Sequence, residues 1–121
     1  MKNRFTVQAR SKSFTYAFKG WRYFFTTQHN AWIQLLAATV AIVLGIFSKI
    51  NSNEWCWIIF SIGFVLFAEM TNTALEFLAD VVSPGHHEKV EKLKDIAAGA
   101  VLMASLTALI IGSVIFVPHL V

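Results

Sequence analysis

Residues 68–80, AEMTNTALEFLAD, hold the side chains best suited to chemistry. Glu69, Glu76 and Asp80 supply carboxylates, and Asn72 supplies an amide among them. At 100° per residue on a helix they fall at about 0°, +20° to −20° for the acids and about −60° for Asn72, so they share one face. Two carboxylates two helical turns apart allow a division of labour. One can hold a divalent cation through oxygen, as Mg²⁺ prefers. The other can accept a proton from a hydroxyl. Just upstream lies WCWIIFSIGFVLF, which is apolar enough for lipid. A charge inside a bilayer costs roughly 2.5–3.5 kcal/mol on insertion scales, so such acids belong on a bundle interior or a wet cavity.

The elements that position this stripe follow from the rest of the chain. Of 121 residues, 56% are hydrophobic and 14% charged, well below the charge of a soluble domain. Residues 31–48 and 96–117 contain no charged side chain, and neither do residues 55–68. A spanning helix needs about 20 predominantly apolar residues. The first and last segments meet that directly. The middle one meets it only by continuing through the acid stripe to residue 82. The reading is therefore all-α and integral to a membrane, one domain over 1–121, with spans at about 31–48, 55–82 and 95–117.

Residues 5–27 form an amphipathic surface helix in this reading. Phe14, Phe18, Trp21 and Phe25 share a face, with Lys12, Lys19 and Arg22 off it. That combination suits the headgroup boundary, although Gly20 is a weak point for a helix. KINSNE is a short polar turn between antiparallel spans. Ser83-Pro84-Gly85 breaks the second span, VEKLKD leads helically into the third, and Pro118 is expected to end it.

Charge gives an orientation. Lys2, Arg4, Arg10, Lys12, Lys19 and Arg22 precede the first span; Lys89, Lys92 and Lys94 lie between the second and third. The positive-inside rule then places the N-terminus and the 83–95 loop in the cytoplasm and the C-terminus outside. Residues 1–27 lack a compact apolar run with a small-residue cleavage site, so no cleaved secretion signal is expected. These charges flank membrane segments, so nucleic acid is not an expected partner. One cysteine, Cys56, excludes an internal disulfide. Phosphate-loop, dinucleotide and protein-kinase signatures are absent, and adjacent His86 and His87 make no zinc set.

The pattern E-x-x-N-[ST]-A-[IL]-E, followed after a loop by K-D-[IM], resembles the small prokaryotic diacylglycerol kinase family. Here it reads AEMTNTALEFLAD and KLKDIAAGAVL, with FKGWR in the N-terminal stretch. The resemblance implies transfer of the γ-phosphate of MgATP to a membrane lipid alcohol, diacylglycerol or undecaprenol, at the inner (cytoplasmic) membrane of a bacterium. It implies homotrimers whose sites are shared between neighbours. By matching positions, Glu69 is the general base and Glu76 binds metal beside the ATP phosphates. Asn72 lines the reacting centre, and Arg22, in the surface helix, helps bind the lipid. Lys94 and Asp95 hold the nucleotide, which Tyr16 and His87 also contact. KDIAAGAVL looks more like the undecaprenol branch.

The chain also departs from the family. Gln28 stands where a glutamate usually shares the metal with the position of Glu76; glutamine keeps a carbonyl oxygen and loses a charge, so weaker metal binding is expected. Gly85 replaces an acid found in some members, and Ala9 an arginine. Two other functions fit the residues alone. A bundle lined by acids can conduct protons, which predicts cation flux without ATP consumption. A retired family member predicts lipid binding without transfer.

Overall fold

The structure is a computed structural model that describes residues 6–121. Lys2, Arg4 and the first residue of the expected surface helix lie outside the described residues. Four helices follow in order: α1 Val7–Thr27, α2 His29–Ser48, α3 Ser52–Val82 and α4 Glu88–Leu120. No strand occurs among the described residues. Three helices are long and apolar enough to cross a membrane: α2, α3 and α4, of 20, 31 and 33 residues. At 1.5 Å per residue α3 and α4 reach about 46 and 50 Å, beyond a hydrocarbon core of about 30 Å. Each must tilt or project.

α3 and α4 pack most extensively on each other, and α2 leans on α3 more than on α4. Local signals explain where the helices begin and end. Thr6 Oγ1 accepts from the Ala9 N–H at 3.0 Å to start α1. α1 then runs unbroken through Gly20, around which space is open. Gln28 has extended backbone and separates α1 from α2. At the end of α2, Lys49 adopts a left-handed conformation with φ 53°. The Ile50 N–H donates to the Gly45 carbonyl and the Lys49 N–H to the Ile46 carbonyl, each at 3.2 Å. This is a Schellman-type termination, unusual in using lysine where glycine is favoured. α3 opens with a capping box between Asn51 and Glu54. α4 starts well before its apolar stretch, with His87 Nδ1 accepting from the Lys89 N–H at 3.1 Å. It continues past Pro118 to Leu120, contrary to the expectation that proline would end it. A proline this close to a helix end disturbs few backbone bonds.

The consolidated core lies at the α2–α3 turn. Ile50, Ile58, Ile115 and Phe116 are buried there, with Ala41, Trp55, Ile62 and Ile111 against them. Elsewhere the outer surface is rich in exposed Leu, Ile, Val and Phe, as a lipid-facing surface must be.

Candidate active site

The stripe on α3 becomes more exposed toward its C-terminal end. Glu69 is only 4% exposed. Asn72 is half-buried, and Glu76 and Asp80 are exposed. The stripe was expected to line a bundle interior or a wet cavity; within one chain only its first member is buried. Above Glu69 the same side of the helix turns apolar. Ile58, Ser61, Val65 and Leu66 line a cleft of about 450 Å³ bounded by α2 and α4. Glu69 does not line that cleft; it follows Val65 by one turn on the same face, between it and the exposed Glu76 and Asp80.

Asn72 carries an unusual feature. Its Oδ1 is buried and has no hydrogen-bond partner. The residue lines a small cavity of about 180 Å³ with Phe64, Phe67, Ala68, Ala97 and Ala100. A buried amide oxygen without a donor costs about 1–3 kcal/mol, so the position calls for a donor from outside the chain. By contrast, the hydroxyls of Ser61 and Thr73 are satisfied within the helix. They donate to the carbonyls of Trp57 at 2.8 Å and Glu69 at 3.0 Å.

Other expected site residues gather around the same end. Lys94 Nζ donates to Asp80 Oδ1 at 2.8 Å, joining α4 to α3 across the 83–87 connection. The antiparallel α3–α4 hairpin makes this contact, which was not expected from the sequence, while Asp95 is exposed on α4. His87 caps α4 beside this pair. Tyr23 packs edge-on against Phe77, with ring centroids 5.8 Å apart, which sets the last part of α1 against α3 next to Glu76. Gln28 follows a turn later; its Nε2 donates to Thr27 Oγ1 at 3.2 Å, leaving its carbonyl oxygen as the acceptor. Tyr16 and Arg22 are exposed on α1, and Lys19 Nζ lies 5.8 Å from the Tyr16 ring centre.

The Tyr23–Phe77 contact was missed from sequence. Its signal was an aromatic residue on α1 outside the Phe14–Phe25 stripe, which needed a protein partner rather than lipid.

Among the described residues no three His, Cys, Asp or Glu side chains converge on a metal position. This does not disfavour Mg²⁺, which usually uses one or two carboxylates and completes its shell with phosphate and water. The exposed Glu76 carboxylate and the Gln28 amide oxygen are donors of that kind. They fit a metal that arrives with a nucleotide better than one held in a protein cage.

A helical chain with three spanning-length helices belongs to the polytopic membrane proteins. The family comparison is more specific. Residues 15–116 match prokaryotic diacylglycerol kinase, and the chain belongs to that family of lipid kinases. It is 34% identical over 109 residues to the undecaprenol kinase of Bacillus subtilis, covering 90% of this chain and 89% of that one. It is also 34% identical over 109 residues to a diacylglycerol kinase of Synechocystis, covering 89% of this chain and 62% of the relative. The diacylglycerol kinase of Escherichia coli K12 is 25% identical over 108 residues, covering 89% of this chain and 88% of its own.

Proposed function

We propose that the chain transfers the γ-phosphate of ATP to the hydroxyl of a membrane lipid alcohol, with undecaprenol preferred over diacylglycerol. The observation that carries this is Glu69, a buried carboxylate one turn beyond Val65 of the apolar cleft and on the same face as the exposed Glu76 and Asp80. An amphiphile with its hydroxyl at Glu69 keeps its chain in apolar surroundings and presents its oxygen to the polar side.

Glu69 acts as general base. As the lipid oxygen bonds to the γ-phosphorus, the hydroxyl proton passes to the Glu69 carboxylate. The bond from the γ-phosphorus to the bridging oxygen breaks, and ADP departs in line. Asn72 offers its unpartnered oxygen to a donor other than the reacting hydroxyl, whose one proton goes to Glu69. Lys94, with Asp80 fixing its position, faces the phosphates; Asp95, His87 and Tyr16 surround the nucleotide. Arg22 meets the lipid headgroup region. Glu76 and the amide oxygen of Gln28 would hold Mg²⁺, which would supply positive charge to the phosphates.

The working unit is a homotrimer in this reading, in the inner membrane of a bacterium, with the N-terminus cytoplasmic and the C-terminus outside. The basic residues flanking the first span and the 83–95 loop support that orientation. The deciding experiment follows labelled γ-phosphate from ATP into undecaprenol or diacylglycerol, offered separately to purified protein across a Mg²⁺ series. Labelled undecaprenyl phosphate is the expected product, at a raised Mg²⁺ requirement set by Gln28. No label in either lipid from a correctly assembled oligomer would overturn the assignment.

A further inference from the structure

The cleft bounded by α2, α3 and α4 is space that the chain creates and leaves open. Small residues in membrane helices ordinarily let the helices approach closely. Ala37 and Ala41 on α2 and Ala108 and Gly112 on α4 line the cleft of about 450 Å³. Yet α2 and α4 pack on each other less than either packs on α3. A Cβ added at Gly112 would meet nothing within 4 Å. No charged side chain among the described residues lines the cleft, so its occupant is apolar.

The two ends of the cleft differ. Toward the α2–α3 turn it is lined by Ile58 and Phe116, which belong to the packed core and close that end. Toward the other end it is lined by Gln34, Leu66 and Ser105, and the buried Glu69 follows on α3. From Ile58 to Glu69 is about 17 Å along the helix. A spanning helix of another copy would have to line about 30 Å of hydrocarbon. A tail entering from the Glu69 end needs only the length that is there.

A tail gains nothing from apolar surroundings by leaving lipid, which is equally apolar, so the cleft selects by shape. It is one slot and takes one chain. The open space beside Gly112 suits a chain with methyl branches. Diacylglycerol carries two chains next to its hydroxyl, and one of them would stay outside. At four chain bonds of about 1.5 Å each, a zigzag prenyl unit advances roughly 5 Å, so about three units reach the closed end.

We propose that this cleft is the tail slot of the acceptor and admits a single prenyl chain, with the hydroxyl at Glu69, the first units between α2 and α4, and Gly112 setting the width. The identity of the occupant rests on the lipid-kinase reading above. Ser105 to Gly112 is about 10 Å along α4, so a larger side chain at Gly112 would obstruct the tail from its third unit onward.

The test presents the full chain, in phosphatidylcholine nanodiscs, with labelled ATP and prenols of two, three, four and eleven units. The KM for the prenol, as a mole fraction of the bilayer, should fall several-fold from two units to three or four and then level, because further units lie in lipid. Gly112→Leu should remove that fall, raising the KM for the longer prenols several-fold with the KM for ATP unchanged. In parallel, a three-unit prenol with a diazirine at its far end is photocrosslinked without ATP, and adducts should fall on Leu44, Ile58 or Phe116. A KM indifferent to chain length overturns the proposal, and so does a Gly112→Leu protein that handles every prenol as its parent does. Loss of the oligomer in that variant would give the cleft to a second copy, which also overturns it. Phosphate transfer with adducts only on the outer surface rejects the slot and keeps the kinase reading. Adducts at the closed end of a protein that transfers no phosphate uphold the slot and reject the kinase reading.

Discussion

The two ends of the helical bundle are built on opposite principles. At the α2–α3 turn, polar groups are paired and the packing is close. A Cβ added to Gly45 would lie 2.7 Å from the Trp55 ring, so the two helices touch there with no room to spare. Glu54 both completes the capping box and reaches His119 Nε2 at 3.5 Å, tying the start of α3 to the end of α4. At the other end, Glu69 is buried, Asn72 Oδ1 lacks a donor, and Glu76 stands exposed. Helix association in lipid depends on close packing and hydrogen bonds rather than on hydrophobic burial. The closed end has the close packing and an ion-pair contact between α3 and α4, while the interhelical hydrogen bond from Lys94 to Asp80 lies at the other end. The open end leaves Glu69, Asn72 Oδ1 and Glu76 without a partner that closes the packing, which is the site the proposed reaction would use.

The sharpest way to break this division is Glu69→Gln. Turnover should fall by roughly 10²–10⁴-fold, the usual contribution of a general base, with no loss of resistance to unfolding in detergent. Near-normal phosphate transfer would remove Glu69 from the chemistry. A lower unfolding midpoint would show that the carboxylate is structural. The converse substitution is Gly45→Ala. Overpacking against Trp55 should cost about 1–3 kcal/mol, measured by denaturant titration, while turnover per folded molecule stays the same. A variant of normal stability and low turnover would mean that the two ends are coupled.

The same contrast decides how much could be read from the sequence. The three apolar runs and the Ser83-Pro84-Gly85 break mark their helices because lipid demands about 20 apolar residues per span. The acids of α3 fall on one face by helical period alone, and the family motif adds their roles. Partner choice between helices was not legible. Asp80 and Lys94 are 14 residues apart and meet only because the hairpin folds as it does. Glu54 and His119 meet because α4 outlasts Pro118. Lys49 gave no sign of its left-handed backbone, since glycine is the residue that announces such a turn.

Two smaller effects sharpen the comparison. Asp80→Asn removes an exposed partner of Lys94, whose side chain is itself 41% exposed. Exposed ion pairs contribute little to stability, so the unfolding midpoint should barely move. The KM for ATP should change by a few-fold while kcat holds, because Lys94 loses its positioning contact and keeps its charge. A clear fall in the midpoint would mean that this ion pair, rather than packing, holds the open end.

The smallest effect is expected at Lys49. A non-glycine residue in the left-handed region carries a steric cost of roughly 1–2 kcal/mol, and Lys49 has φ 53°. Lys49→Gly relieves that cost but adds freedom to the unfolded chain, offsetting part of the gain. The net change should be stabilising and below about 1 kcal/mol, with turnover unchanged. Thermal unfolding of the two proteins side by side measures it. Destabilisation would mean that the lysine side chain contributes more to closing the α2–α3 turn than its backbone conformation costs, and the tight packing around Gly45 would then share its role with a surface residue.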